Sequence, residues 1–162
     1  MSLKAIIYLL PLNIFVWLIL HIAISWICLR MPLTYFQKDL SWFKIRNWEK
    51  EGLIWDRIFH VKRWKKHLID GSSIAPKSFD KRHLHGTKLD ELDVFSAETK
   101  RAEMTHWVLM GSALLFFVWN PWWANWIIVI YALLSNLPFI LTQRYNRGRI
   151  ERVMNKISLA SR

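Results

Sequence analysis

From Ala5 to Leu29 the chain runs 25 residues without one acidic or basic side chain. As a helix that stretch would span roughly 37 Å, enough to cross the ~30 Å hydrocarbon layer of a bilayer with some tilt. Two further uncharged runs come later, Met104 to Trp119 of 16 residues and Trp122 to Leu141 of 20. They are joined by Asn120-Pro121, a pair that favours a tight turn, so together they predict a helical hairpin. The expectation is an all-α integral membrane protein: about three transmembrane helices (5–29, 104–119 and 122–141) plus amphipathic interfacial helices. The middle run is short unless its helix begins nearer Ala102, which sets His106 about one turn inside the membrane boundary.

Charge gives the orientation. Cytoplasmic loops near membrane segments carry the excess of Lys and Arg. Residues 30–103 hold 16 of the 23 Lys and Arg, residues 144–162 hold six, and the Asn120-Pro121 connection holds none. The pattern fits an outside N-terminus, a cytoplasmic interfacial segment over 30–103 and a basic cytoplasmic tail over 144–162. A cleaved signal peptide competes for the first run, since Ala23-Ile24-Ser25 resembles a cleavage site and Lys4 a positive leader. Against it, the run exceeds a typical leader core, and Arg30, Lys38, Lys44 and Arg46 oppose export of the segment that contains them. The formal charge of +11 alongside 11 Trp and 9 Phe therefore points to lipid surfaces as partners and not to nucleic acid.

Within the central segment Glu51–Ile69 reads as one basic, Trp-rich amphipathic helix, with Ile54, Ile58, Val61 and Leu68 near one face and Arg57 and Lys65 interrupting it. In the tail Ile150, Val153, Met154 and Ile157 recur at helical spacing, with Arg149, Arg152 and Lys156 opposite. Both are expected to lie in the membrane interface. The lone Cys28 excludes an internal disulfide and a cysteine-held metal, and reads as packing. No repeat, linker or Gly-rich loop divides the chain, so a single membrane-embedded domain, 1–162, is expected. Thr87 reads as a helix N-cap with Asp90 in the capping-box position, opening a helix that runs to Trp119.

On that helix, Glu98, Arg101, Glu103 and His106 share a broad side where a polar helix runs into an apolar one. Ionisable groups at such a border are costly to desolvate and mark a functional site. A histidine with a carboxylate one turn away is a candidate general base, and arginines nearby can hold a phosphate or a developing oxyanion. Together they suit acyl transfer to an alcohol at the membrane surface. The plainer alternative is that Glu98 with Arg101 and Lys100 with Glu103 form surface pairs while His106 hydrogen-bonds a neighbouring helix. His83, His85, Glu103 and His106 also allow a metal site of a lipid oxidase or desaturase, though only one Glu-x-x-His pair is present. His85 with Asp90 has the His-x4-Asp spacing of glycerolipid acyltransferases, but Asp90 already has a capping role. Asn136, Asn13 and His21, inside apolar helices, read as interhelical hydrogen bonds. A third possibility is a non-catalytic membrane scaffold of a lipid pathway.

Four blocks stand in order along the chain: Asp70-Gly71 after the Trp/Lys-rich segment, Phe79-Asp80-Lys81-Arg82-His83-Leu84, Glu98 to Glu103 continuing to His106-Trp107, and Asn136-Leu137-Pro138 leading to Gln143-Arg144-Tyr145-Asn146-Arg147. In these the chain resembles the glycosyl-4,4'-diaponeurosporenoate acyltransferases of staphyloxanthin-type carotenoid pathways, small membrane enzymes that esterify the sugar of a glycosylated carotenoid acid with a fatty acyl chain. The resemblance implies a multi-pass protein of a bacterial cell membrane. Its partners would be membrane lipids, the glycosylated carotenoid, an acyl donor and other enzymes of the pathway. The donor, a thioester or a phospholipid, would be a co-substrate, with no further cofactor. The resemblance favours His83 over His85. Chemistry then assigns the roles: His106 as base, assisted by Glu103 or Glu98, with His83 and Asp80 as the rival pair. Arg82 and Arg101 would meet the polar end of the donor, and Arg144, Tyr145, Asn146 and Arg147 would close the site from the other side.

Overall fold

A computed structural model describes residues 3–68 and 89–160. Six α-helices account for most of them: α1 Leu3–Arg30, α2 Leu33–Gln37, α3 Leu53–Phe59, α4 Val61–Trp64, α5 Leu89–Ser112 and α6 Trp122–Ala160. Three 3-10 segments, Asn47–Glu49, Lys65–His67 and Ala113–Val118, complete the described helical structure. Where the sequence predicts one domain, the chain divides into two compact units, each discontinuous: residues 1–31 with 104–138, and residues 32–103 with 139–162.

Two helices are long and apolar enough to cross a membrane by length and composition, over Tyr8–Arg30 and Trp122–Leu159. Only 6% of the first window is buried, so its apolar side chains face outward. The Met104–Trp119 run does not meet the same criterion, because α5 is charged over its first half and gives way to the 3-10 segment Ala113–Val118. The Trp122–Leu141 run and the basic tail, expected as separate pieces, are one helix of 39 residues that continues through Pro138.

In the apolar unit, side-chain amides bind α1 to the turn before α6. Asn13 and Asn120 exchange hydrogen bonds of 2.8 and 2.9 Å, and Trp119 Nε1 donates to Asn13 Oδ1 at 2.8 Å. Amides suit this fastening, since they add directional bonds between helices whose facing side chains are otherwise apolar. Asn13 therefore takes the interhelical role expected of it. His21 instead bonds the carbonyl of Trp17 within its own helix. Trp17 packs its ring against Phe116 and Tyr131, and Cys28 is a free, buried thiol.

The polar unit corrects two expectations. The helix predicted over Glu51–Ile69 is broken, because His60 takes a left-handed conformation (φ 51°) between α3 and α4. Asp56 stabilises the break by accepting the Lys62 N–H at 2.8 Å. Val61 turns inward with Leu141 and Tyr145, flanked by Trp55 and Trp64. The apolar stripe of the tail is core: Ile150 packs with Leu92 and Phe95 of α5, and Val153, Met154 and Ile157 cover that cluster. Helical spacing alone does not distinguish a stripe that meets lipid from one that meets another helix.

The tightest packing in this unit is backbone on backbone. Lys50, Glu51 and Gly52 are left-handed in succession, with φ of 49°, 54° and 82°, a run that costs energy at each non-glycine residue. It is seated against α6 at Gly148, where a Cβ would overlap the Glu51 carbonyl and lie 2.6 Å from the Gly52 nitrogen. Arg152 clamps the same loop by donating to the Glu51 carbonyl. Gly148→Ala should therefore lower the midpoint of thermal unfolding in detergent, at a cost of about 3 kcal/mol or more, since backbone and not a side chain must move. Gly111→Ala, with open space around the added methyl, should be neutral or stabilising by up to ~1 kcal/mol through helix propensity.

Candidate active site

Helix α6 carries Arg144 and Arg147 one turn apart, and α5 carries Thr99 and Glu103 one turn apart. These four side chains and Glu49 interlock. Arg144 grips Glu49 as a fork, Nε to Oε2 at 2.8 Å and Nη2 to Oε1 at 2.5 Å, while its Nη1 donates to Glu103 Oε1 at 2.9 Å. Arg147 Nη2 donates to Glu103 Oε2 at 2.5 Å and Nη1 to the Thr99 hydroxyl at 3.4 Å. The result is an alternating chain, Glu49–Arg144–Glu103–Arg147, with two charges of each sign. Glu49 and Glu103 are fully buried and Arg147 is 1% exposed.

Local structure presents Glu49 for this. It closes the 3-10 segment after Arg46 and accepts the Arg46 backbone N–H at 2.9 Å, and the Trp55 indole N–H reaches its other oxygen at 2.8 Å. Burial alone would raise its pKa, but the hydrogen bonds from Arg144, the Arg46 N–H and Trp55 outweigh it and hold the carboxyl below the ordinary carboxylate value. One donor of the chain is left over: Arg147 Nε is buried with no hydrogen-bond partner.

The remaining expected residues fall in several places. Glu98 takes both oxygens to Arg101 Nη2, at 2.6 and 2.8 Å. Asn146 Oδ1 accepts from Lys65 Nζ at 2.8 Å, and the same ammonium lies 4.8 Å from the centre of the Tyr145 ring. Asp80, Arg82, His83, His85 and the Thr87 cap lie outside the described residues. Among the described residues no group of three His, Cys, Asp or Glu side chains is placed to hold a metal ion.

His106 belongs to the apolar unit, where its Nδ1 stands 3.0 Å from Asn136 Oδ1. Asn136 is 2% exposed, and its amide NH2 donates to the Ala132 carbonyl at 2.9 Å. That bond fixes which way the amide faces, so its oxygen points at the imidazole and must accept. His106 therefore donates from Nδ1 to that oxygen. This is the interhelical hydrogen bond expected of Asn136.

Sequence patterns do not single out Glu49, Thr99, Trp55, Gly148 or Lys65 for these parts. Glu49 leaves one trace, an acid three residues after Arg46 in a basic stretch, which is capping-box spacing. Its partner Arg144 is 95 residues away, and no local pattern announces that.

The chain matches the family model described as glycosyl-4,4'-diaponeurosporenoate acyltransferase over residues 39–156. Relatives carrying that same name in Staphylococcus aureus strains USA300, NCTC 8325 and Newman are each 36% identical over 138 residues, covering 85% of this chain and 83% of theirs. No solved structure matches.

The buried ion chain makes a definite prediction. Glu103→Leu strands Arg147 without its carboxylate and should cost about 3–5 kcal/mol, whereas Glu103→Leu with Arg147→Met should recover most of that loss. Thermal unfolding of the two variants at pH 7 checks this. Because Glu49 titrates below its unfolded value of 4.5, its contribution is complete above that pH and is lost as pH falls through the lower folded value. Glu49→Gln should flatten the acid limb of the stability curve below pH 4.5.

Proposed function

The chain belongs to the glycosyl-4,4'-diaponeurosporenoate acyltransferase family, and on that premise we propose that it is a membrane enzyme that esterifies a sugar hydroxyl of a glycosylated carotenoid acid with a fatty acyl chain. The single observation that carries the mechanism is the Asn136–His106 bond. With Nδ1–H held by the amide, His106 Nε2 takes the proton from the sugar hydroxyl as its oxygen attacks the acyl carbonyl. The tetrahedral intermediate collapses to the ester, and the imidazolium returns the proton to the departing thiolate or alkoxide. Arg82 is assigned to the polar end of the donor, whereas Arg101 is engaged by Glu98, and His83 with Asp80 remains the rival base.

The arginines of α6 take a different part in this reading. Arg144 and Arg147 meet carboxylates of the protein itself, so Glu103 and the two arginines hold the polar unit in shape, while Tyr145 and Asn146 meet Lys65.

The surface of the apolar unit supports a membrane setting. Tyr8, Ile14, Phe15 and Ile22 on α1, Leu114 and Val118 beyond α5, and Trp122, Ile127 and Leu134 on α6 are all exposed. So much exposed apolar surface is tolerated against lipid and not against water. We read Met104–Trp119 as a further crossing paired with Trp122–Leu141, both ends of the pair cytoplasmic and the chain's N-terminus outside, in keeping with the placement of Lys and Arg.

Incubated with a labelled acyl donor and a glycosylated carotenoid acid, membranes holding the protein should form the labelled ester. His106→Gln should lower kcat by roughly 10²–10⁴-fold at unchanged protein level. Asn136→Leu, which removes the acceptor for Nδ1–H, should lower it by a smaller factor. Full activity in His106→Gln would discard His106 as the base and leave His83 to be tested the same way.

A further inference from the structure

Lys65 has no part in the proposed mechanism, yet the fold goes to some length to place it. The break at His60 and the 3-10 segment Lys65–His67 turn its side chain toward α6. There Asn146 Oδ1 accepts from its Nζ at 2.8 Å and the Tyr145 ring lies under it at 4.8 Å. Both partners are 7% exposed, so the ammonium is held by groups that cannot move far. Both are also neutral. Among the described residues no carboxylate stands within ion-pair distance of Lys65.

The charges facing it are unbalanced. Among the described residues Arg149 on α6 and Lys62 on α4 repel it and Asp56 on α3 opposes them. Asp56 already accepts the Lys62 N–H. Burial first, then Arg149, pushes the lysine from 10.5 down to about 8. A half-buried cation pre-oriented by neutral groups and short of counter-charge is a receptor for an anion.

We propose that Lys65, fixed by Asn146 and Tyr145 and backed by Arg149, binds the phosphate of the acyl donor, the chemistry that a nucleotide-linked acyl thioester and a phospholipid share. In naming a donor the assignment rests on the acyl-transfer reading, but the anion site has its own readout. In it Asn146 and Tyr145 are positioning residues, which act on the substrate through the ammonium.

The test uses the full chain purified in detergent and equilibrium dialysis with two probes: a labelled long-chain acyl coenzyme A and a labelled short-chain phosphatidylglycerol, each set against the diacylglycerol of matching chain length. The wild type should bind one phosphate-bearing probe at least about tenfold more tightly than the neutral one, and that probe identifies the donor. Affinity should fall about tenfold between pH 7 and pH 9 as Lys65 loses its proton. Lys65→Arg should hold its affinity through pH 9, and Lys65→Gln should bind weakly at both pH values with no pH dependence. His106→Gln should bind like wild type while its transfer falls as predicted above, which separates failure of the anion site from failure of the acyl-transfer reading. Equal binding of both phosphate probes by wild type and Lys65→Gln, or no preference for phosphate in the wild type, overturns the proposal.

Discussion

The polar half of this protein depends on one buried alternation of charge, Glu49–Arg144–Glu103–Arg147. Carrying two carboxylates and two guanidinium groups out of water costs several kcal/mol per ion, and their mutual attraction offsets it only with good geometry and few unmet donors. The fork of Arg144 on Glu49, with Trp55 and the Arg46 N–H on the same carboxylate, meets that condition. So does the sharing of Glu103 between two arginines. The arrangement fixes several pieces of chain at once: the 3-10 segment at Asn47–Glu49, the left-handed run after it, the middle of α5 and the α6 segment from Arg144 to Gly148. An apolar core could hold them as firmly. It could not set their register so closely, because guanidinium and carboxylate groups meet in few geometries.

The same network lets the loop at Lys50–Gly52 be strained. Two non-glycine residues with positive φ persist only where their surroundings over-determine them. Here Glu49 is anchored on one side, α3 begins on the other, Arg152 clamps the Glu51 carbonyl, and the bare face of Gly148 receives the backbone. A glycine inside a helix usually weakens it. At position 148 the absent side chain is what the packing requires.

The features legible in the sequence are those that obey a local rule. Uncharged runs mark the apolar helices, helical spacing marks Ile150, Val153, Met154 and Ile157 as one face, and Asn13 and Asn136 declare themselves as interhelical hydrogen bonds because an amide in an apolar helix has few other uses. The partners are less legible. Spacing does not say that the tail's apolar face meets Leu92 and Phe95, nor that Arg144, whose charge suits an anchor as well as a ligand, reaches back to Glu49. The helix expected over Glu51–Ile69 fails because periodicity is blind to one residue. His60 in the left-handed region turns the chain, and one of the two residues that interrupt the apolar face, Lys65, is delivered by the break to Asn146. Acid–arginine pairs three residues apart can be foreseen for Glu98 and Arg101. The choice Glu103 makes between a local partner and distant ones belongs to the fold.

The amide behind His106 sets the character of the proposed base. A carboxylate in that place would stabilise the imidazolium, but a buried negative charge in an apolar helix would add its own desolvation cost. Asn136 supplies orientation and tautomer without a charge. A base held by a neutral acceptor is not locked into its protonated form by an ion pair, which suits a group that must take a proton from a sugar hydroxyl and hand it to the leaving group within one turnover. The amide is also compatible with its own site in α6, where the Ala132 carbonyl and the Ser135 hydroxyl satisfy its N–H groups. The apolar surroundings and the proposed chemistry thus favour the same side chain for separate reasons.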